Sequence, residues 1–271
     1  MPQKLVVNGL ICPDSLFKVR VSLSSNMDAE KELIDNAIIK VYKDGIYSTT
    51  LAAIGDGWYQ GTYPTEETKY RIEVIVPGFD IVSAETSIPK FPDVIEAFYE
   101  KLNSPPDDAG FIHAKTTIVF QDDPNQLNYY QTKRVYYYND QPQEIDPSIL
   151  TDGDLNYNPL FLYFSDALFN GENKTLTVMG GGSISQSPFG DDYIYYQKDY
   201  KRDFGPVSEE YYLGVKSWTQ HYFNQSNDSD INDPLTLLFV GEPTAMYTNI
   251  KGGYGVFAGY HFKELEIGAH E

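Results

Sequence analysis

The chain has 271 residues, 41% of them hydrophobic and 15% aromatic, and its 20 Lys and Arg residues against 39 Asp and Glu residues give a formal net charge of −19. This content of large apolar side chains excludes a disordered chain, and the length allows one large or two moderate domains. The negative charge repels a phosphate backbone, so we expect no nucleic acid as a partner, and the single cysteine, Cys12, excludes an intramolecular disulfide.

The first 90 residues have the pattern of short strands separated by turns. Residues 17–23 alternate between apolar and polar side chains, which is the period of a half-buried strand. Asp44 and Gly45 form the strongest short hairpin signal in the chain. Seven short strands at nearly regular spacing predict a β-sandwich of the transthyretin or immunoglobulin type. The predicted strands are residues 4–11, 17–23, 37–42, 46–51, 57–61, 70–76 and 79–86.

Prolines mark a change of pattern after this region. Pro89 and Pro92 lie on either side of Lys90, and proline rarely continues a central strand. We therefore place a domain boundary near Lys90, which gives a sandwich domain of residues 1–90 and a larger, β-rich domain of residues 91–271 closed by a C-terminal strand. Residues 94–102 fit either a bridging strand or one helical turn, and their pattern does not decide between the two.

The second domain is predicted to be mainly β with one clear helix at about residues 208–223. Ser208 can cap this helix, and Glu209 and Glu210 suit the positive end of its dipole. Its apolar residues recur at helical spacing, namely Tyr211, Val215, Trp218 and Tyr222. The predicted strands are residues 111–121, 128–130, 135–138, 161–164, 176–179, 193–196 and 235–240.

Three stretches interrupt these strands. The three consecutive glycines at residues 180–182 are expected to break the chain between two strands. Residues 140–158 and 224–233 are polar, and we expect both to be long exposed loops. Long loops on a rigid sheet are frequent recognition surfaces, so these two are the predicted docking surface.

Residues 249–262 combine glycine and aromatic residues more densely than any other part of the chain. Gly252 and Gly253 indicate a turn, whereas Gly255 and Gly259 indicate points where two backbones approach closely. We predict that this stretch is a late strand that completes a sheet begun more than a hundred residues earlier.

Residues 152–158 resemble the opening of a calcium loop. Asp152, Asp154 and Asn156 have the required spacing, but the sixth position is Tyr157 and the twelfth is Tyr163, so the stretch is not an EF-hand. A looser Ca²⁺ site and a plain loop with Asx turns both fit these residues. Ca²⁺ is the one cofactor for which the sequence offers candidate ligands.

No motif for catalysis is present in the sequence. Gly-x-Ser-x-Gly and His-Glu-x-x-His are both missing, and the four histidines are too scattered for a zinc cluster. Adjacent acids such as Asp122 and Asp123 are expected in solvated turns, which does not support a glycosidase pair. We therefore assign no catalytic or cofactor-binding residue and do not expect an enzyme. The tyrosine clusters fit either a platform for sugars or peptides or ordinary core packing.

Several ordered pieces of the sequence resemble one known family. They are residues 5–11, 37–42, 57–59 and 70–74, then Asp123-Pro124 with Asn128-Tyr129-Tyr130, Ser165-Asp166 through Gly171, and residues 249–257. In their order and spacing they are similar to an uncharacterised family of outer-membrane lipoproteins from Bacteroidetes that is catalogued as a domain of unknown function. The resemblance covers nearly the whole chain.

The resemblance implies a transthyretin-like sandwich followed by a family-specific β-rich domain. It also implies export through a lipoprotein signal, a lipidated cysteine just upstream of residue 1, and association with TonB-dependent receptor systems. Cys12 does not fit as the lipid attachment site, because Gly9-Leu-Ile-Cys12 lacks the small residue that precedes such a cysteine. The family has no established catalytic residues that could be carried over to this chain.

On this basis we expect a non-catalytic accessory lipoprotein that is anchored to the outer membrane by its lipid and exposed at the cell surface. Its expected partner is a TonB-dependent receptor or another outer-membrane β-barrel, on which it would assist ligand capture or gating. The alternative is a stand-alone module that binds a glycan, a peptide or Ca²⁺.

Overall fold

The computed structural model describes residues 3–25, 31–101, 111–138, 141–143, 149–150, 162–186, 192–194, 200–225 and 245–269. The protein is mainly β, with one helix in the described part of the chain, as the sequence predicted. In chain order the elements are β1 (Leu5–Ile11), β2 (Lys18–Leu23), β3 (Ile38–Lys43), β4 (Ile46–Thr50), β5 (Ala52–Gly55), β6 (Trp58–Gln60), β7 (Thr68–Ile75), β8 (Val82–Ile88), β9 (Asp93–Lys101), β10 (Phe111–Gln121), β11 (Tyr129–Tyr138), β12 (Gln141–Gln143), β13 (Ile149–Leu150), β14 (Leu162–Ser165), β15 (Asn173–Gln186), β16 (Asp192–Ile194), β17 (Tyr200–Val207), α1 (Glu209–Gln225), β18 (Phe257–Gly259) and β19 (Lys263–Ala269).

The chain divides into two compact units. Unit 1 consists of Met1–Lys90 and Val207–His261, and unit 2 consists of Phe91–Pro206 and Phe262–Glu271. The sequence interpretation assigned residues 1–90 to one domain and residues 91–271 to the other. Residues 207–261 differ from that interpretation, since they were assigned to the second domain and belong to unit 1. The reason is that β18 pairs with β1, which lies almost 250 residues earlier in the chain.

Unit 1 is a sandwich of two sheets. The five-stranded sheet has the order β18-β1-β2-β6-β5, and the four-stranded sheet has the order β4-β3-β7-β8. β18 runs parallel to β1, with Gly9 opposite Phe257 and Ile11 opposite Gly259, whereas the other named neighbours in both sheets are antiparallel. The predicted late strand that completes an early sheet is therefore confirmed.

The core of unit 1 is formed by the side chains that point inward from both sheets. Strict alternation along β7, where every second residue is buried, shows how the two-residue period of a strand fills this core. The largest fully buried side chains of the cluster are Tyr59, Tyr70, Phe257, Leu5, Ile11, Ile39, Ile72 and Ile88.

Glycines act at two kinds of position in unit 1. At the tip of the β3–β4 hairpin, Asp44 and Gly45 both have positive φ, at 48° and 82°, which confirms the predicted tight turn. At Gly255 and Gly259 the reason is close approach. A Cβ atom would overlap the carbonyl oxygen of Val7 at Gly255 and that of Ser87 at Gly259. The predicted close approaches of the closing segment are therefore confirmed.

α1 begins where the sequence predicted. The Ser208 Oγ accepts a hydrogen bond from the Tyr211 N–H at 3.3 Å, and the first turn carries Glu209 and Glu210. The Ser208 hydroxyl also accepts from the Thr86 hydroxyl at 3.1 Å, which ties the helix start to β8. No helix in the described ranges is long and apolar enough to cross a membrane.

Unit 2 is built on a large sheet in which the order β12-β11-β17-β19-β9-β10-β15-β13 forms the main path. β14 pairs with β11 and β16 pairs with β15 beside that path. Phe120 lies at the centre of its buried cluster, with ring centroids 4.9 Å from both Tyr130 and Phe204. The cluster comprises Ile118, Phe120, Tyr130, Leu162, Phe164, Phe169, Leu176, Val178 and Phe204.

Two predictions for unit 2 are settled by its ladders. The glycines at residues 180–182 do not break the chain, because β15 runs through them and pairs them with residues 112–114 of β10. The hydrogen bonds of a β-ladder join backbone N–H and C=O groups, and glycine has both, so these residues can continue the strand. Residues 94–102, left open between strand and helix, lie almost entirely in β9. The sequence did not predict β5, β12, β13, β17 or β19 as strands, and β12 and β13 lie in the stretch 140–158 that was expected to be a loop.

Candidate functional site: an exposed sheet edge and a buried carboxyl cluster

The calcium candidates Asp152, Asp154 and Asn156 lie outside the described residues, so the Ca²⁺ site stays a prediction. The same holds for most of the two loops predicted as docking surfaces, of which residues 141–143, 149–150 and 224–225 are described. Among the residues that the structure does describe, no group of three or more His, Cys, Asp and Glu side chains is arranged to hold a metal ion.

Three large, exposed apolar side chains of unit 1 lie on β4 and β5. Ile46 is 74% exposed, Tyr47 55% and Ile54 53%, although residues 46–55 contain no charged residue and no proline. Leu51, between the two strands, is buried and anchors the stretch to the core. Large apolar side chains that cluster at the surface mark contact sites in soluble proteins.

β4 and β5 are also the outer strands of their sheets. β4 is the end strand of the four-stranded sheet and β5 that of the five-stranded sheet, so one continuous stretch forms an edge of both. Within the described residues β4 pairs with β3 alone and β5 with β6 alone. An edge strand presents unpaired N–H and C=O groups that can accept another strand.

The backbone direction at this edge follows from one hydrogen bond. The Leu51 N–H donates to the Ile39 carbonyl at 2.9 Å, which makes this a hydrogen-bonded pair. Thr50 lies opposite Lys40, one position along, and hydrogen-bonded pairs alternate with non-bonded pairs in an antiparallel ladder. The Thr50 N–H therefore points away from β3 and toward the open side.

A cleft lies beside the same strand, between the two sheets. Its walls include Lys43, Ser48, Thr49, Leu51 and Tyr63. The Lys43 Nζ lies 5.7 Å from the centroid of the Tyr70 ring and forms no salt bridge within the described residues. The cleft thus combines an apolar floor with a cation that has no carboxylate partner.

On the outer face of this sheet, Tyr47 is backed by a connected polar group. Its ring centroid lies 5.9 Å from that of Tyr42, whose hydroxyl donates to the Glu73 Oε2 at 2.7 Å. The Arg71 guanidinium lies 3.9 Å from the Tyr42 ring centroid and pairs with Glu73. The bond from the Tyr42 hydroxyl, followed by that from Arg71, lowers the pKa of the Glu73 carboxyl. These contacts hold Tyr42 and Tyr47 in a fixed position.

Unit 2 contains a second candidate, a cluster of buried carboxyls between two turns. Asp122 follows β10 and Asp166 follows β14, and they are 1% and 0% exposed. The Asp122 carboxylate accepts from the Tyr130 hydroxyl at 2.5 Å and from the Gly171 N–H at 2.7 Å. The Asp166 Oδ2 accepts from the backbone N–H of Asn128 at 2.8 Å and from its side chain at 3.1 Å.

The electrostatics of the cluster follow from burial. Burial raises the pKa of the Asp166 carboxyl to about 6, helped by the nearby Asp122 charge and opposed by the Asn128 N–H. Burial and the bond to Asp122 raise the pKa of the Tyr130 hydroxyl. The Asp166 Oδ1 has no hydrogen-bond partner in the described part of the chain, which agrees with a carboxyl that binds a proton readily.

Chemically, the cluster can bind a proton and hold two turns together. Both carboxyls are buried beside Phe120, Phe164 and Phe169, so the cluster belongs to the core of unit 2 rather than to a surface site. The sequence interpretation was wrong to expect Asp122 in a solvated turn; only its neighbour Asp123 is exposed. The signal that could have found the pair is the spacing of the quoted pieces, since Asn128, Tyr130, Asp166 and Gly171 meet here.

The fold and these sites define a two-unit β protein that presents an uncharged, partly apolar sheet edge to solvent. A model described as a domain of unknown function, DUF4249, matches residues 1–266, and the chain belongs to that family. Among curated proteins, none matches the sequence.

Proposed function

We propose that the protein is a non-catalytic accessory lipoprotein, held at the outer membrane of a Bacteroidetes cell by a lipid anchor and exposed at the cell surface. It docks on a TonB-dependent receptor or another outer-membrane β-barrel and assists ligand capture or gating. The resemblance of the ordered sequence pieces supports the location, and membership of the family agrees with that resemblance.

The observation that carries the docking function is the edge at residues 46–55. A chain with a formal charge of −19 would be expected to place charges on an edge strand, as soluble proteins commonly do. This edge instead presents Ile46, Tyr47 and Ile54 to solvent. An uncharged, apolar edge on a highly charged protein favours a stable protein contact over exposure to water.

The test is a pull-down from native membranes with the full chain and its anchor. We expect a TonB-dependent receptor or another barrel to be recovered with the wild-type protein, and an Ile54→Asp variant to recover at least about tenfold less, because a buried unpaired charge is costly in an interface. Ile81→Asp is the matched control, since Ile81 is a comparably exposed isoleucine in the same unit. Recovery of no barrel by the wild-type protein contradicts the proposal.

A second candidate function is favoured by the fixed aromatic pair Tyr42 and Tyr47. Arg71 and Glu73 hold the half-buried Tyr42 ring, and the exposed Tyr47 ring packs against it, which is an arrangement suited to stacking on a sugar or gripping a peptide. In this alternative the protein is a stand-alone binding module. Calorimetry on the isolated chain with a glycan panel separates the two, because docking alone requires no heat of glycan binding.

A further inference from the structure

We propose that β4 is the docking strand of this protein and that its partner contributes an extended segment, which pairs with β4 as an additional strand of the four-stranded sheet. The segment lays an apolar side chain against the mouth of the cleft beside β4 and places an acidic group next to Lys43. The inference rests on the proposed function in taking the partner to be another protein, and it specifies the chemistry of the contact.

The backbone of β4 determines the conformation of the partner segment. In the regular part of the β3–β4 ladder, which ends at the register shift between Val41 and Tyr42, the Thr50 N–H points outward and can bond to another extended backbone. Addition of a strand at such an edge is a recurring mode of peptide recognition, in which main-chain hydrogen bonds supply affinity and pockets for alternate side chains supply specificity.

The cleft determines which side chains the segment carries. A strand added next to β4 directs every second side chain toward the face on which Ser48, Thr49 and Leu51 line the cleft. The floor there is apolar, and Lys43 is a cation without a salt bridge in the described residues. An apolar side chain followed by a carboxylate complements both features.

A second copy of this chain is the weaker occupant. Two copies each carrying a charge of −19 repel one another, and a β4–β4 contact would place the two Lys43 cations at the same edge. The other outer strand of the sheet, β8, is already engaged, since Ser83 exchanges backbone hydrogen bonds with Lys251 at 2.8 and 3.3 Å. Within the described four-stranded sheet, the open edge is therefore β4, and β5 continues it at the end of the other sheet.

The inference is tested by photo-crosslinking in cells that make the full protein. p-Benzoylphenylalanine replaces Tyr47 on the edge, and in a control strain it replaces Tyr254, an exposed tyrosine outside β4 and β5. Mass spectrometry then identifies the crosslinked peptide of the partner. Each strain is made with the otherwise native chain, with Thr50→Pro and with Thr50→Val. Proline removes the outward N–H and restricts φ, whereas valine keeps the N–H, and both substitutions remove the Thr50 hydroxyl, which lies 3.1 Å from that of Tyr47.

We expect crosslinks from position 47 to a single extended segment that carries an apolar and an acidic residue. We expect their yield to fall at least tenfold with Thr50→Pro and to remain with Thr50→Val, while position 254 gives no such product. Crosslinks to a second copy of the chain, to a helical segment, or with equal yield in the Thr50→Pro variant overturn the inference. Thermal unfolding of the purified variants confirms that the proline variant is folded.

This experiment separates the inference from the proposed function. If the membrane pull-down recovers a barrel and Thr50→Pro leaves that recovery unchanged, the docking function stands and the β4 contact is wrong. If crosslinking maps an extended segment of a protein that is not part of an outer-membrane barrel complex, the β4 contact stands and the proposed function is wrong.

Discussion

The two sides of the unit 1 sandwich differ in whether another segment of the chain covers their outer strands. On one side the closing segment, residues 249–261, covers the outer strands: Tyr254 N–H donates to the Leu5 carbonyl at 2.9 Å and Lys251 bridges to Ser83. On the other side β4 and β5 have no such cover within the described residues. The chain therefore returns after more than 150 residues to close one side and leaves the other open.

The closed side shows what closure requires. Gly255 and Gly259 let the backbone of the closing segment approach β1 and β8 more closely than any side chain allows. Asn249 adds three hydrogen bonds, with the carbonyl of Glu85 and with both backbone groups of Phe257. The described residues of the open side have no comparable glycine contacts or asparagine hydrogen bonds, so the difference between the two sides can be tested by substitution.

The largest expected effect is on the closed side. In a Gly259→Ala variant the new Cβ meets the Ser87 carbonyl and the Ile88 Cα, both of them backbone atoms. We expect the free energy of unfolding to fall by about 3 kcal/mol, since backbone must move to relieve the overlap. Gly268→Ala is the matched control, because a Cβ there meets nothing within 4 Å, and urea denaturation measures both. Equal stability of the two variants would show that the close approach is unimportant.

The carboxyl cluster of unit 2 extends the comparison, because it also joins two turns but its contribution to stability depends on pH. The folded-state pKa of Asp166, about 6, lies above the ordinary value of 3.8, so the folded protein binds this proton more tightly than the unfolded chain. Its contribution to stability is present in full below about pH 4 and is lost as the pH rises through 6. An Asp166→Asn variant, which stays neutral, should therefore be more stable than the wild type at pH 7, by on the order of 2 kcal/mol.

The pH dependence is the decisive part of that experiment. The advantage of Asp166→Asn should shrink toward zero as the pH falls from 7 to 4, when measured by urea denaturation at each pH. Asp123→Asn is the control, since Asp123 is the exposed neighbour in the same turn. A constant difference between Asp166→Asn and the wild type across this range contradicts a raised pKa as the cause.

A smaller effect is expected from Asn249→Ala on the closed side. The substitution leaves the Phe257 N–H and carbonyl without the Asn249 partners they have at 2.9 and 2.7 Å. We expect a loss of 1 to about 2 kcal/mol in the free energy of unfolding. Hydrogen exchange should show faster opening of the Phe257 amide. Asn125→Ala, at an exposed turn asparagine, is the control, and an equal effect there would show that Asn249 does not hold the segment.

The sequence predicted the closed side better than the open one, for a physical reason. Closure depends on residue types with distinct conformational properties, so Gly255 and Gly259 indicated points of close backbone approach in the sequence. The open edge depends on the absence of charged residues and proline from residues 46–55, and on which sheet each strand joins. That choice is made at Leu51, whose burial turns the chain from one sheet to the other, and no local pattern marks it.

The carboxyl cluster escaped sequence analysis because its members are far apart in the chain. Asp122 and Asp123 have the same local pattern, yet the first is buried and the second exposed, and only the ladder that brings β14 next to β11 decides between them. Gly180, Gly181 and Gly182 were misjudged for a related reason. Their conformation is set by eleven paired positions between β10 and β15, and this long ladder overrides the local preference of glycine for a break.

The smallest expected effect on stability is that of a substitution on the open side of unit 1. Thr50→Pro removes an N–H that points away from β3, so we expect the free energy of unfolding of the isolated protein to change by less than about 0.5 kcal/mol. By the same alternation Thr49 directs its N–H toward β3, and Thr49→Pro should cost about 3 kcal/mol. Urea denaturation measures the free energy of unfolding of both variants, and the difference shows which of the two N–H groups points toward β3. If Thr50→Pro destabilises the protein as much as Thr49→Pro, the Thr50 N–H is already engaged, and the open side is closed after all.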